Sequence, residues 1–251
     1  MKTLMLGQGY FGQVHRAGHL AIKKYKHATF QEQANEFYIC QRLPVHPNII
    51  RFIGYFSGPP NGLAFEYFKS VTLEAFVQER HQQAKHIPPK DIIPILIQIA
   101  EGLACLHEVG IVHRDIALRN ILINPNAICK LIDFGLSIMR PTPSDKLFKP
   151  NSVHVAPDEI VTSAVDIYAF GVVMIELITL TQISSAGSHN VSDDRVSLLH
   201  DVSRDAVLNG AVYRSFLPVI RACLEPDSVK RITAEGLLGL LDRMRIDVSL
   251  S

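Results

Sequence analysis

Over residues 3–25 the chain alternates short apolar runs with glycine, in TLML, GQGYFGQV and LAIKKY, which predicts twisted strands joined by tight turns. Residues 29–43, TFQEQANEFYICQRL, change period. Phe30, Phe37, Cys40 and Leu43 fall on one approximate helical stripe, with Thr29 placed to cap it and Glu32 three residues on to close a capping box. HPN at 46–48 is expected to break that helix, and RFIGYFS and GLAFEYF predict two more strands around a GPPNG turn. From about residue 72 helical spacing takes over. TLEAFVQER, DIIPILIQIAEGLACLHEVG, SAVDIYAFGVVMIELITL, RDAVLNGAVYRSFLPVIRACL and TAEGLLGLLDRMR are predicted helices, while 121–132 supplies short strands around NPNA. The pattern therefore predicts a strand-rich front with one helix, residues 1–68, and a mostly helical back, residues 69–251.

One stretch breaks the pattern. IVHRDIALRNILI at 111–123 is an apolar run of the kind that fills a core, yet it carries His113, Arg114, Asp115, Arg119 and Asn120. A buried charge stripped of its partner costs about 3–5 kcal/mol, so such residues persist where neighbours, metals or substrates satisfy them. The stretch is a candidate site on that ground alone.

Composition narrows the classes. A chain of 251 residues that is 47% hydrophobic can build real cores, and 25 basic against 24 acidic residues leave no global field to recruit nucleic acid or an anionic membrane. Any phosphate binding must be local. Cys40, Cys105, Cys129 and Cys223 are widely spaced with no CxxC pairing, which predicts four reduced, buried thiols and a cytoplasmic setting. The opening MKTLMLGQG has too short an apolar run for a signal peptide, and the most apolar longer segment, 164–181, contains Asp166 and Glu176, so a buried helix is expected there and not a membrane span.

Four local patterns carry chemistry, each with a plainer alternative. In GQGYFGQV, Gly7, Gly9 and Gly12 would let backbone N–H groups approach a phosphate chain, although glycine-rich hairpins are common. A dinucleotide-binding βαβ unit would need a helix straight after the third glycine, and here the strand pattern continues to Lys23. Lys23 in LAIKK needs an anionic partner if buried; Glu36 is the natural one and Glu32, one turn earlier, the rival. The HRD of 113–115 with Asn120 is the third pattern, and IDFG at 132–135 the fourth.

Glycine-rich loop, strand lysine, helical glutamate, HRD with an asparagine five residues beyond its aspartate, and DFG occur here in the order of the protein-kinase signature set. APD at 156–158, DIYAFG at 166–171 and KRITAEGLL at 230–238 resemble the later APE, DVWSFG and RPTAxxLL landmarks. The chain thus resembles a eukaryotic-type protein kinase from about Leu4 to Arg243, which implies an α+β bilobal fold in a single domain, with ATP and Mg2+ as cofactors and a protein as substrate. By that resemblance Asp115 orients or deprotonates the substrate hydroxyl, Asn120 and Asp133 hold metal, and Lys23 paired with Glu36 clamps the α and β phosphates. Leu6, Val14 and Ala21 would roof the adenine and Leu122 floor it, the backbone of Glu66 and Phe68 would bond the purine edge, and Phe65 would be the gatekeeper. His113 would stack beneath Phe134, and Arg114 would meet a phosphate or carboxylate of the activation segment.

Departures from the family pattern matter as well. Only eight residues separate Val14 from Lys23, which demands a very tight turn. The activation segment, 133–156, contains Thr142, Ser144 and Ser152 but no tyrosine. Asp158 replaces the APE glutamate, so either it or Glu159 must meet Arg231. Ala117 and Arg119 resemble the HRDLAARN of tyrosine kinases, whereas GLACLHEVGIVHRD looks closer to tyrosine-kinase-like serine/threonine enzymes and His154 replaces the tryptophan expected before APE. Tyrosine or dual specificity is slightly favoured. The alternative is a scaffold that binds ATP without turnover, suggested by the short loops and Asp158. A small-molecule phosphotransferase is disfavoured by Arg114 and the APE-like segment.

Overall fold

The computed structural model describes residues 4–8, 12–26, 29–57, 62–142, 144–145, 154–158, 160–181, 183 and 211–250, with no side-chain description at 211–213 and 247–250. Gly9, the GPPNG turn up to residue 61, Ser152, Glu159, residue 182 and residues 184–210 lie outside the described residues.

Strands β1 (Leu4–Gln8), β2 (Gly12–Ala17), β3 (Leu20–Tyr25), β4 (Phe52–Phe56) and β5 (Gly62–Glu66) form an antiparallel sheet in the order β1-β2-β3-β5-β4. The tight turn demanded between Val14 and Lys23 is a two-residue hairpin, Gly18–His19, closing on the Ala17–Leu20 pair. Gly18 sits at φ 64°, where a side chain would be strained. Gly12 is required for a different reason: a Cβ there would lie 2.1 Å from the Lys24 carbonyl oxygen of β3. Its lack of a side chain thus serves strand pairing.

Helix α1 spans Phe30–Cys40 and crosses beside this sheet, with the Thr29–Glu32 capping box in place. It ends three residues sooner than the apolar stripe implied. Pro44 biases the residue before it away from helical dihedrals, so Arg42 and Leu43 close as a turn onto the carbonyls of Ile39 and Cys40. The HPN segment begins only afterwards, where Asn48 is buried and donates to Gln98 Oε1 at 3.1 Å and the Cys129 carbonyl at 2.9 Å.

The remainder is mainly helical: α2 (Leu73–Gln82), α3 (Pro89–Glu108), α4 (Ala164–Thr179), α5 (Leu217–Cys223) and α6 (Ala234–Leu250). Short strands β6 (Val71–Thr72), β8 (Ile121–Ile123) and β9 (Cys129–Leu131) form one small sheet, and β7 (Ile111–Val112) pairs with β10 (Ile138–Met139) in another. α3 packs along α6 and against β9, and α4 packs on α5. Of the helix expected over 204–224, residues 204–210 lie outside the described residues, Ala211–Phe216 form a 3₁₀ turn and the α-helix runs from Leu217. Pro218 in the first turn of α5 lacks the N–H a continuous α-helix would need.

α4 is buried along nearly its whole length, as the pattern of 164–181 predicts, and its two acids are satisfied inside the protein. Glu176 meets His154 Nε2 at 3.0 Å and accepts the Ile183 N–H at 3.0 Å; the partners of Asp166 belong to the site below. Among the described residues no helix is long and apolar enough to cross a membrane. All four cysteines are free thiols; Cys40, Cys129 and Cys223 are buried, whereas Cys105 is partly exposed, contrary to the expectation of four buried thiols. Burial pushes the Cys129 thiol up to about 12.

Candidate active site

Alternation along β3 places Ala21, Lys23 and Tyr25 on one face. Lys23 is 7% exposed and donates to both oxygens of Glu36, at 2.7 and 2.9 Å, and to Asp133 Oδ1 at 2.7 Å. The rivalry between Glu32 and Glu36 is decided by the helix start. Glu32 accepts the Thr29 N–H at 2.6 Å in the capping box, and Glu36, one turn later, points into the interior. Burial disfavours the Lys23 ammonium, but Glu36 and Asp133 outweigh it and hold its pKa above the ordinary value. Burial raises the Glu36 carboxyl, with the Asp133 charge adding to it. Burial also opposes the charged form of Asp133, but Lys23 and the Gly135 N–H at 3.3 Å keep it below the usual range.

Sequence reasoning overlooked Tyr25. Its hydroxyl donates to Glu36 Oε2 at 2.8 Å. The available signal was its register, two residues beyond Lys23 on the same strand.

The polar intrusions of 111–123 are accounted for one by one. Asp166, wholly buried at the start of α4, accepts the His113 N–H at 2.8 Å, the Arg114 N–H at 2.7 Å and a contact from His107 Nε2 at 2.9 Å. Those bonds hold Arg114 at φ 68°, a left-handed conformation that a non-glycine residue keeps only when its surroundings fix it. Asp166 too escaped sequence reasoning as a site residue, although an acid in the first turn of an otherwise apolar helix was the clue. His113 lies 5.0 Å from the Phe134 ring; its Nε2 meets the Ile132 carbonyl at 3.0 Å and its Nδ1 accepts from the Asp115 N–H at 3.3 Å. Both ring nitrogens are therefore occupied by backbone.

Asn120 donates to Asp115 Oδ2 at 2.7 Å and to the Asp115 carbonyl at 2.9 Å, while Arg119 pairs with Asp115 Oδ1. The Ile132 N–H bonds to the Asn120 carbonyl at 3.0 Å, tying the HRD loop to DFG. Asp133 also has a left-handed φ, 65°. Among the described residues, Asn120 Oδ1 and Asp133 Oδ2 carry no hydrogen bond, because the Asn120 amide and Asp133 Oδ1 are the groups engaged. Two hard oxygen donors suit a cation such as Mg2+.

The residues expected to clasp an adenine lie on β1, β2, β3 and β8. Val14 pairs with Lys23, Ala21 with Phe65, and Leu122 with Thr72; Val14, Ala21 and Leu122 are half-buried and Leu6 is 42% exposed. Gly7 would have open space around a Cβ. Phe65 is buried and packs edge-on against Phe52 at 5.5 Å. In the segment leaving β5, the Glu66 carboxylate is taken by Lys130 at 2.9 Å and the Arg51 N–H at 3.1 Å, so its side chain is structural. Tyr67 donates its N–H to His19 in the β2–β3 turn at 2.9 Å, and the Phe68 carbonyl accepts the Ser70 hydroxyl at 2.9 Å.

The activation segment is braced at both ends. Its start forms β10, and Asn35 of α1 donates to the Ser137 carbonyl at 3.1 Å. Near its end Asp158, despite the shorter side chain, reaches Arg231 Nη1 at 2.9 Å; Arg231 also donates to the carbonyls of Ala164 and Glu225, each at 2.8 Å. Arg114 lies close enough for Asp145 to act on its charge. Its Nε is buried without a partner among the described residues.

The sequence profile described as "Protein kinase domain" matches residues 2–240. The chain is 31% identical over 198 residues to Ephrin type-A receptor 7 of Gallus gallus, an alignment covering 70% of this chain and 20% of that protein. It is 32% identical over 200 residues to Tyrosine-protein kinase Srms of Homo sapiens, covering 74% and 40%. It is 30% identical over 257 residues to a Dictyostelium discoideum protein named as a probable serine/threonine-protein kinase, covering 95% and 27%. The chain spans no more than two-fifths of the length of these relatives. The ordered motifs, the antiparallel sheet over a helical body and the profile match across nearly the whole chain agree: this chain belongs to the protein kinase domain family.

Proposed function

We propose that the chain is an ATP- and Mg2+-dependent protein kinase domain, residues 1–68 and 69–251 being its two lobes, that transfers the γ-phosphate of ATP to a protein hydroxyl. The observation that carries the reading is the joint placement of Lys23, Glu36 and Asp133 in one ion cluster with Asp115 and Asn120 bonded to each other at 2.7 Å. A fold kept only for packing has no need of a buried ammonium shared by two carboxylates, since breaking such a pair costs about 3–5 kcal/mol and apolar residues serve packing as well or better.

Each residue then has a task. Lys23, held by Glu36, meets the α and β phosphates and offsets charge that builds in the transition state. Asn120 Oδ1 and Asp133 Oδ2 would hold the cation, which would supply positive charge to offset that of the phosphates. Asp115 orients the substrate hydroxyl and takes its proton as the new O–P bond forms and ADP departs. Asn120 and Arg119 fix the Asp115 carboxylate. Leu6, Val14 and Ala21 from above and Leu122 from below clasp the adenine, with backbone groups of Glu66 and Phe68 at its edge and the loop of Gly7, Gly9 and Gly12 over the phosphates.

Arg119 favours tyrosine or dual specificity. The cation beside Asp115 comes from four residues after it, and the position two after it, where serine/threonine kinases commonly carry lysine, is the buried Ala117. The test is magnesium-dependent phosphate transfer to a generic protein substrate, followed by phosphoamino-acid analysis. Asp115→Asn should lower turnover by about 10²–10⁴-fold while leaving ATP affinity within about twofold. Tight MgATP binding by the unaltered protein without any transfer would establish the scaffold reading instead.

A further inference from the structure

Tyr25 is a partly buried titratable group that the mechanism above does not use. Its hydroxyl donates at 2.8 Å to Glu36 Oε2, the same oxygen that accepts from Lys23 at 2.9 Å. The cluster holds one ammonium against two carboxylates, so one negative charge is uncompensated within it. A neutral O–H donor can relieve that excess without adding a second cation that would compete for phosphate. Burial and the Glu36 charge push the Tyr25 phenol upward, which keeps it protonated as a donor.

The place of Tyr25 is also fixed. It is the last residue of β3 and pairs with Gly12, where a Cβ would come within 3.1 Å of its Cα, so the backbone is pinned beneath the glycine-rich strand. The ring flanks the ammonium, with Lys23 Nζ 5.7 Å from its centroid.

We infer that Tyr25 is a positioning residue for phosphoryl transfer, its hydroxyl bracing the Glu36 carboxylate so that Lys23 stays anchored once Asp133 serves the cation. In the structure Lys23 is shared between Glu36 and Asp133. When a cation takes up part of the Asp133 charge, Glu36 carries more of the hold on the ammonium, and among the described residues the donor to Glu36 other than Lys23 itself is the Tyr25 hydroxyl. Tyr25 provides the second tether. The inference rests on the catalytic reading of Lys23 and Glu36.

The test is a double-mutant cycle on the whole chain, read both in kcat with a generic protein substrate and in MgATP affinity by calorimetry. Glu36→Gln alone examines the catalytic reading and should lower kcat at least about 10²-fold. Tyr25→Phe, which preserves the ring, should lower kcat by about fivefold and weaken MgATP binding by a similar factor in the unaltered background, as expected for one hydrogen bond to a charged group. In the Glu36→Gln background the same substitution should change neither. Replacing Tyr25 by p-aminophenylalanine, which restores a donor at the ring tip, should recover most of the loss. Equal losses in both backgrounds, or no loss from Tyr25→Phe, would overturn the inference, even with the Glu36→Gln result as expected. Should Tyr25→Phe fail to fold, p-aminophenylalanine at full activity supports it and at reduced activity opposes it.

Discussion

Asp166 shows what a single buried residue does here. It is fully enclosed, yet it terminates two backbone N–H groups and a histidine contact, and so holds the turn from which Asp115 projects. Burial alone would raise its pKa, but the His107 hydrogen bond and charge, with the His113 N–H, hold it below the usual carboxylate range. The sign follows directly. A group whose folded pKa is depressed adds stability that is fully present above its unfolded value, about 3.9, and lost as pH falls through the folded value. Urea midpoints should therefore drop below about pH 4 in the unaltered protein, and Asp166→Asn should remove part of that dependence. Asparagine offers one acceptor oxygen where two are needed, so a stability loss of about 3 kcal/mol near pH 7 is expected from the same titrations.

At the scale of elements, α1 matters because it delivers Glu36 at the right height and angle. Its entry is set by Thr29, whose hydroxyl accepts the Glu32 N–H at 3.2 Å while Glu32 reaches back to the Thr29 N–H. Thr29→Ala should cost about 1 kcal/mol in chemical denaturation. This start was legible in the residues because a capping box is a local sequence pattern. The end was not: the apolar stripe runs on to Leu43, and Pro44, through its effect on its neighbour, stops the helix at Cys40. β3 is similar. Its alternation shows that Lys23 and Tyr25 share a face, but that Tyr25 touches Glu36 depends on how α1 lies across the sheet.

For the molecule as a whole, the proposed nucleotide site draws on β3, α1, the HRD loop and the DFG turn, which are more than a hundred residues apart in the case of Lys23 and Asp133. A ligand gripping all of them should raise the unfolding transition of the entire chain. At MgATP a hundred times its dissociation constant the gain should be about 2.7 kcal/mol, read as a shift in thermal melting. Chelating the metal with EDTA at constant ATP should abolish most of that shift, because Asn120 and Asp133 would then face phosphate without a bridging cation. An equal shift with and without metal would contradict the cation role of those two residues.

The residues by themselves determined the five longer strands of the front sheet and most of the helices, the capping of α1, the burial of α4 and the ordered motifs of the family, since each depends on local period, turn chemistry or spacing along the chain. They left the charges of 111–123 as a problem without partners. Only the tertiary structure decided that Asp166 supports Arg114, that Asp158 is long enough for Arg231, and that Tyr25 joins Lys23 and Glu36. Those pairings are set by distances between elements far apart in sequence. Hydrophobic patterning brings such elements together without direction, and the hydrogen bonds that fix which polar groups meet form only at the final separation.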